Sequence, residues 1–320
     1  MLWIELFSGL ALLVAGGEAL VRGASALAAR LGVSPLLIGL TVVGFGTSTP
    51  ELVTSLQAAF AGSPGIAVGN VIGSNIANAL LILGIAAILM PFAVERRAFL
   101  RDGTALLAAT LAAVAIGLWG ELSRPAGAVL LAGLVLYLAM AYRSERIVDT
   151  GTMADEGATP ALPAAPQTPA MRLPLALIWA VGGIALTVLG ARLLVGASID
   201  LAGLWGVPDA VIGLTIVAVG TSLPELVTSV VAALRRQGAI AFGNVVGSNL
   251  YNILGILGIT ALVKPIPVPP QIAVLDIWVM LGATVALVAV AVTGWRVSRG
   301  EGMALLAAYA AYVAWLALGV

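Results

Sequence analysis

A ten-residue phrase, Gly46-Thr47-Ser48-Thr49-Pro50-Glu51-Leu52-Val53-Thr54-Ser55, returns as Gly220-Thr221-Ser222-Leu223-Pro224-Glu225-Leu226-Val227-Thr228-Ser229. A second phrase, Gly69-Asn70-Val71-Ile72-Gly73-Ser74-Asn75, returns as Gly243-Asn244-Val245-Val246-Gly247-Ser248-Asn249 at the same offset of 174 residues. Both copies lie in strongly apolar surroundings, and each places an acid beside a helix-breaking proline. Hydrophobic residues make up 61% of the chain, charged residues 9%, and mean hydropathy is +1.11. A water-soluble domain of this length could not carry such a composition, so the chain is a multi-pass membrane protein built from two copies of one design.

Spans of about 20 apolar residues divide the chain into ten expected helices, at 3–29, 35–60, 66–90, 101–119, 125–142, 173–200, 209–234, 239–263, 271–293 and 302–319. The polar stretch 143–172, rich in Ala, Pro and Thr, reads as a cytoplasmic linker between a first repeat over 1–142 and a second over 173–320. The N-terminus has neither a basic region nor a small-residue cleavage site, so the first apolar stretch reads as a retained helix. Placing the N-terminus outside puts eleven basic residues on cytoplasmic connections (Arg30, Arg96, Arg97, Arg101, Arg143, Arg146, Arg172, Arg235, Arg236, Arg296 and Arg299). Only Arg124 and Lys264 then fall outside. Five helices per repeat is an odd number, so the second repeat enters from the opposite side. The expected fold is all-α with two inverted five-helix repeats, N-out and C-out, in a cell membrane. In such architectures broken helices of the two halves meet at mid-membrane and share one site.

The chain has no cysteine and no histidine, which removes disulfides, thiolate chemistry and imidazole ligands. Oxygen is left to hold any ion. Proline in a helix interior has no N–H to donate and crowds the carbonyl four residues earlier, so Pro50 and Pro224 are expected to free the carbonyls of Gly46 and Gly220. Thr47 and Glu51 are four apart, as are Thr221 and Glu225, Ser74 and Asn78, and Ser248 and Asn252, so each pair shares a helix face. Gly69, Gly73, Gly243 and Gly247 are expected to let helices approach closely. Two carboxylates among hydroxyls, amides and carbonyls suit Ca²⁺ and also Na⁺, whereas a soft transition metal wants sulfur or imidazole.

Other features have plainer readings. A hydroxyl pair such as Thr47-Ser48 beside a kink is commonly structural when it stands alone. Glu18, four residues before Arg22, reads as a local ion pair. Asp200, Asp209 and Asp276 lie near span ends and read as headgroup-level charges, and Trp119, Trp205, Trp278 and Tyr142 as interface anchors. The glycine runs lack the preceding strand and following lysine of a phosphate loop. Neither a cofactor, nor nucleic acid, nor a protein partner is implied.

At the doubled Gly-Thr-Ser-x-Pro-Glu and Gly-Ser-Asn signatures the chain resembles the cation/calcium antiporter superfamily, most closely its prokaryotic sodium/calcium exchanger branch, over nearly its whole length. The resemblance implies a central Ca²⁺ site formed by Glu51 and Glu225 with the carbonyls of Thr47 and Thr221. It further implies Na⁺ sites lined by Ser48, Ser222, Ser74, Ser248 and the carbonyls of Gly44 and Ala218, with Asn78 and Asn252 completing the centre. Some members carry aspartate where this chain has Asn252. The expected function is Na⁺/Ca²⁺ antiport by alternating access, extruding Ca²⁺. A proton-coupled or other divalent-cation antiporter is the alternative, with an intramembrane enzyme and a passive channel behind it.

Overall fold

The computed structural model describes residues 2–151, 171–204, 218–270 and 272–318. The first half runs α1 (Leu2–Leu31), α2 (Pro35–Thr47), α3 (Thr49–Phe60), α4 (Pro64–Leu89), α5 (Arg96–Trp119) and α6 (Arg124–Gly151). The second runs α7 (Leu173–Leu204), α8 (Ala218–Thr221), α9 (Leu223–Leu234), α10 (Gly238–Val263), α11 (Ile272–Val292) and α12 (Arg299–Ala317). Seven of the described helices are long and apolar enough to cross a membrane, and eight if α2 and α3 count as one bent span. Trp119, Trp278 and Tyr142 are exposed at their edges, as interface anchors should be. Trp205 and Asp209 lie outside the described residues.

The internal repeat is visible in the coordinates as matched pairs. Four two-residue strands, β1 (Phe92–Ala93), β2 (Glu121–Leu122), β3 (Ile266–Pro267) and β4 (Arg296–Val297), form two antiparallel ribbons, β1 with β4 and β2 with β3. Each ribbon therefore joins one half to the other. Gly120 and Gly294, 174 apart, both end long helices with left-handed backbone, at φ 83° and 68°. The Thr110 and Thr284 hydroxyls, again 174 apart, meet at 3.2 Å in the core, and Asn249 Nδ2 donates to the carbonyl of its own equivalent, Asn75, at 3.4 Å. Contacts between equivalent residues are what an approximate two-fold axis produces.

Helices α1 and α7 pack antiparallel along their length because glycines recur on the facing stripes. Gly9, Gly16 and Gly23 on α1 and Gly183 and Gly190 on α7 stand seven apart within each helix. A Cβ on Gly16 would lie 2.6 Å from the Thr187 nitrogen, and one on Gly183 would lie 2.4 Å from the Leu20 nitrogen. Backbone touches backbone there, the close approach that small residues permit in lipid, where no hydrophobic effect drives helices together. Gly243 and Gly247 do the same on α10, where an added Cβ would lie 2.6 and 2.3 Å from the carbonyl oxygens of Leu36 and Leu40. The equivalents of Leu36 and Leu40, at 210 and 214, lie outside the described residues.

Several boundaries differ from expectation; the helix expected over 101–119, for one, begins at Arg96. The helix expected over 125–142 continues to Gly151, into the stretch read as linker, because Arg143, Ser144, Glu145 and Arg146 are all compatible with a helix. The final helix begins earlier, at Arg299, where Ser298 accepts from the Glu301 N–H and Glu301 reaches back to the Ser298 N–H.

Candidate ion site

The chain breaks between α2 and α3 at Ser48, with a bend of 43°, and Pro50 falls in the first turn of α3, where a missing N–H is tolerated. Ser222 and Pro224 stand identically before and within α9. The break sets each glutamate in the first turn of a helix that starts inside the protein. Glu51 and Glu225 are both 0% exposed.

The two halves exchange donors across the axis. Ser48 Oγ donates to Glu225 Oε1 at 2.9 Å, and Ser222 Oγ donates to Glu51 Oε1 at 3.3 Å. Each carboxylate is thus held by the serine three residues ahead of the other carboxylate, which brings the two acids to one place. Ser222 Oγ is also 3.4 Å from Ser74 Oγ. Ser248 Oγ donates to the Gly44 carbonyl at 3.2 Å, and that oxygen also receives the Ser48 N–H at 3.1 Å. Thr47 is fully buried and Thr221 partly so. Ala218 opens α8 beside the undescribed 205–217, so its expected role falls at the edge of what the structure describes.

What each glutamate leaves over matters most. Glu51 Oε2 and Glu225 Oε2 are buried with no hydrogen-bond partner, and so are both amide atoms of Asn78 and of Asn252. Asn78 and Asn252 occupy matching π-helical turns, Ala77–Ile82 in α4 and Tyr251–Leu257 in α10. Such turns are rare and concentrate at functional sites. Buried polar atoms are normally paired, and an unpaired carboxylate oxygen costs several kcal/mol, so the two carboxylate and two amide oxygens of this set are groups a cation would stabilise, while the amide nitrogens beside them are donors. Among the described residues no group of three or more Asp, Glu, His or Cys side chains converges. Among the described residues the charge of the site is that of two glutamates.

Two residues of the repeated phrases emerge only in the structure. Asn70 Nδ2 donates to the Glu51 carbonyl at 3.1 Å and to Ser55 Oγ at 3.0 Å. Asn244 Nδ2 donates to the Glu225 carbonyl at 3.2 Å and to Ser229 Oγ at 2.8 Å. Their side-chain oxygens accept from the opposite half, Asn244 from Thr47 at 3.2 Å and Asn70 from Thr221 at 3.5 Å. Each asparagine ties the backbone of one glutamate to the threonine beside the other half's break. Their recurrence at the common offset was the available signal.

The remaining charges divide as follows. Glu18 pairs with Arg22 at 2.5 Å, as its spacing suggested, and additionally with Arg235. Asp200 is exposed. Asp276 is partly buried and accepts from Tyr312 at 2.9 Å, so it is more than a headgroup-level charge. Its equivalent, Asp102, is buried, bonded to Arg101 at 2.6 Å and to Tyr137 at 3.1 Å.

A family model described as sodium/calcium exchanger protein matches residues 1–143 and 175–318. The putative antiporter CaxA of Alkalimonas amylolytica is 38% identical over 308 residues, covering 95% of each chain. The sodium/calcium exchanger MaX1 of Methanosarcina acetivorans is 36% identical over 339 residues, covering 97% of each. Solved structures of the sodium-calcium exchanger NCX_Mj superpose on this chain with a TM-score of 0.82 at 32% identity, over 98% of this chain and 97% of that one. One of them, soaked with Na⁺ and Sr²⁺, gives 0.83 at 31% identity. The doubled acid-and-asparagine cage and these matches together make the chain a member of the sodium/calcium exchanger family, a multi-pass membrane antiporter and not an enzyme.

Proposed function

We propose that the protein exchanges Na⁺ for Ca²⁺ across the cell membrane and extrudes Ca²⁺ under the inward Na⁺ gradient, its ten spans arranged as two inverted repeats with both termini outside. The single observation that carries this reading is the pair of fully buried glutamates, each with one oxygen held by the opposite half's serine and one without a partner. Two carboxylates balance one divalent ion. Ca²⁺ takes six to eight oxygen ligands, and the Glu51 and Glu225 side chains, the Thr47 and Thr221 carbonyls and the Asn78 and Asn252 side-chain oxygens supply such a set in this reading. Ser48, Ser74, Ser222 and Ser248 with the Gly44 and Ala218 carbonyls flank it as Na⁺ ligands.

Coupling follows from electrostatics. Two bare carboxylates at membrane depth are expensive, so the site changes sides cheaply only when cations fill it. Competition of Na⁺ and Ca²⁺ for the same oxygens then makes each flux depend on the other. The hydroxyl-rich flanks favour Na⁺ over H⁺, because a proton needs no cage. The test is ⁴⁵Ca²⁺ uptake into proteoliposomes. Uptake should require internal Na⁺, and equal uptake under a pH gradient without Na⁺ would replace Na⁺ by H⁺ in this scheme.

A further inference from the structure

Glu18 joins α1 to the second half. Besides Arg22, one turn along, its carboxylate is held by Arg235 through Nε and Nη2, and Arg235 is the C-cap of α9. The repeat does not reproduce this link. At the common offset, Arg192 stands in the place of Glu18, Gly196 in that of Arg22, and Ala61, the C-cap of α3, in that of Arg235. Arg192 is exposed and has no ion pair among the described residues.

Packing is one-sided in the same sense. Gly17 of α1 lies against Val227 and Val231 of α9, where a Cβ would meet them at 3.0 and 3.4 Å. Gly46 meets Ile184 of α7, and its equivalent, Gly220, meets Val195 of the same helix, although strict symmetry would turn one of these contacts to α1. The α1–α7 pair therefore sits off the two-fold axis, toward α9. Burial follows suit: Thr54 on α3 and Asn70 on α4 are partly exposed, whereas their equivalents Thr228 and Asn244 are 0% exposed. Among the described residues the site is covered more fully past α9 than past α3.

We infer that the Glu18–Arg235 pair is a one-sided latch that holds the α9 side closed and biases alternation toward the state reached past α3. The inference rests on the alternating-access reading above. When inverted repeats exchange conformations, the two end states would be equal in energy if the halves were identical, so a contact that only one half can make sets the balance. Opening the latch leaves Glu18 paired with Arg22 and strands no buried charge. The pair is partly exposed, with Arg235 at 40% and Glu18 at 28%, so its bias is modest, about two- to fivefold.

Because the chain has no cysteine, Thr54→Cys and Thr228→Cys are clean reporters of the two sides, read by maleimide labelling in proteoliposomes. Glu18→Gln and, separately, Arg235→Gln should raise labelling at 228 and lower it at 54 by about two- to fivefold. Ala61→Glu should move both reporters the same way, because it offers Arg192 a partner only after the halves have exchanged roles. Arg192→Gln in that background should cancel the shift. Unchanged labelling in Glu18→Gln and Arg235→Gln would overturn the latch. Labelling that ignores Na⁺ and Ca²⁺ in the otherwise unaltered protein would instead overturn alternation, and the latch with it.

Discussion

Asn244→Ala should harm the protein more than Asn70→Ala, although the two asparagines make the same bonds. Asn244 is fully buried and supplies the Glu225 carbonyl at 3.2 Å and the Ser229 hydroxyl at 2.8 Å while accepting from Thr47. Truncation would not strand Thr47, whose hydroxyl also lies 3.1 Å from the Val43 carbonyl. It would strip a donor from the other two groups, at about 1 kcal/mol each, and leave a hole worth about another 1–2 kcal/mol, for a total of about 3–4 kcal/mol. Asn70 is partly exposed, and water can take over its bonds, so its removal should cost about 1 kcal/mol. Ranking by thermal inactivation in detergent suffices, since irreversible unfolding still orders variants by barrier. Added Ca²⁺ supplies a second readout: the protection it gives should shrink more in Asn244→Ala, because Glu225 loses an anchor. Equal losses in the two variants, or a larger loss in Asn70→Ala, would refute the argument from burial.

Three further outcomes are expected. Glu51→Gln or Glu225→Gln keeps the side-chain volume and halves the site's charge, so Ca²⁺ affinity should fall on the order of a hundredfold, about 3 kcal/mol, with insertion unchanged; Ca²⁺ flux and membrane-fraction yield measure the two separately. Gly183→Ala forces a Cβ to 2.4 Å from backbone and should destabilise by about 1–3 kcal/mol, while neighbouring Gly182→Ala, with nothing within 4 Å, should be neutral in the same thermal assay. Asp102→Asn keeps an oxygen for Tyr137 but removes the charge of a buried pair with Arg101, and should lower thermal stability more than Asp276→Asn, which loses only the charge behind the Tyr312 bond.

The glutamates, serines and the Asn78 and Asn252 amides stand out as candidates in the sequence because polar groups are costly in lipid, because each appears twice, and because the signatures around them resemble those of the exchanger family. Asn70 and Asn244 stand in the same repeated phrases but have no charge and no proline beside them. What marks them is a bond to the opposite half, and no spacing along one chain encodes that. Asp102 stands beside Arg101 near a helix start, and nothing in the sequence singles it out. Only the fold turns Tyr137 onto it. Glu18 shows the same limit, since its Arg22 partner follows from an i,i+4 spacing while Arg235 lies 217 residues away.

Asn252 sharpens the ion-counting question. With an amide at that position the cage holds two negative charges, so one bound Ca²⁺ leaves it neutral, whereas three Na⁺ would leave it with one net positive charge. Neutral and positive loaded sites respond differently to voltage, since a charge crossing the membrane field is worth about 2.3 kcal/mol per 100 mV. A cycle returning three Na⁺ per Ca²⁺ would therefore be driven by an imposed potential, and one returning two would not. At a fixed stoichiometry Asn252→Asp should leave the charge moved per cycle unchanged and shift which step senses voltage: a third negative charge removes the net charge of a three-Na⁺ load and transfers it, with opposite sign, to the Ca²⁺-loaded step.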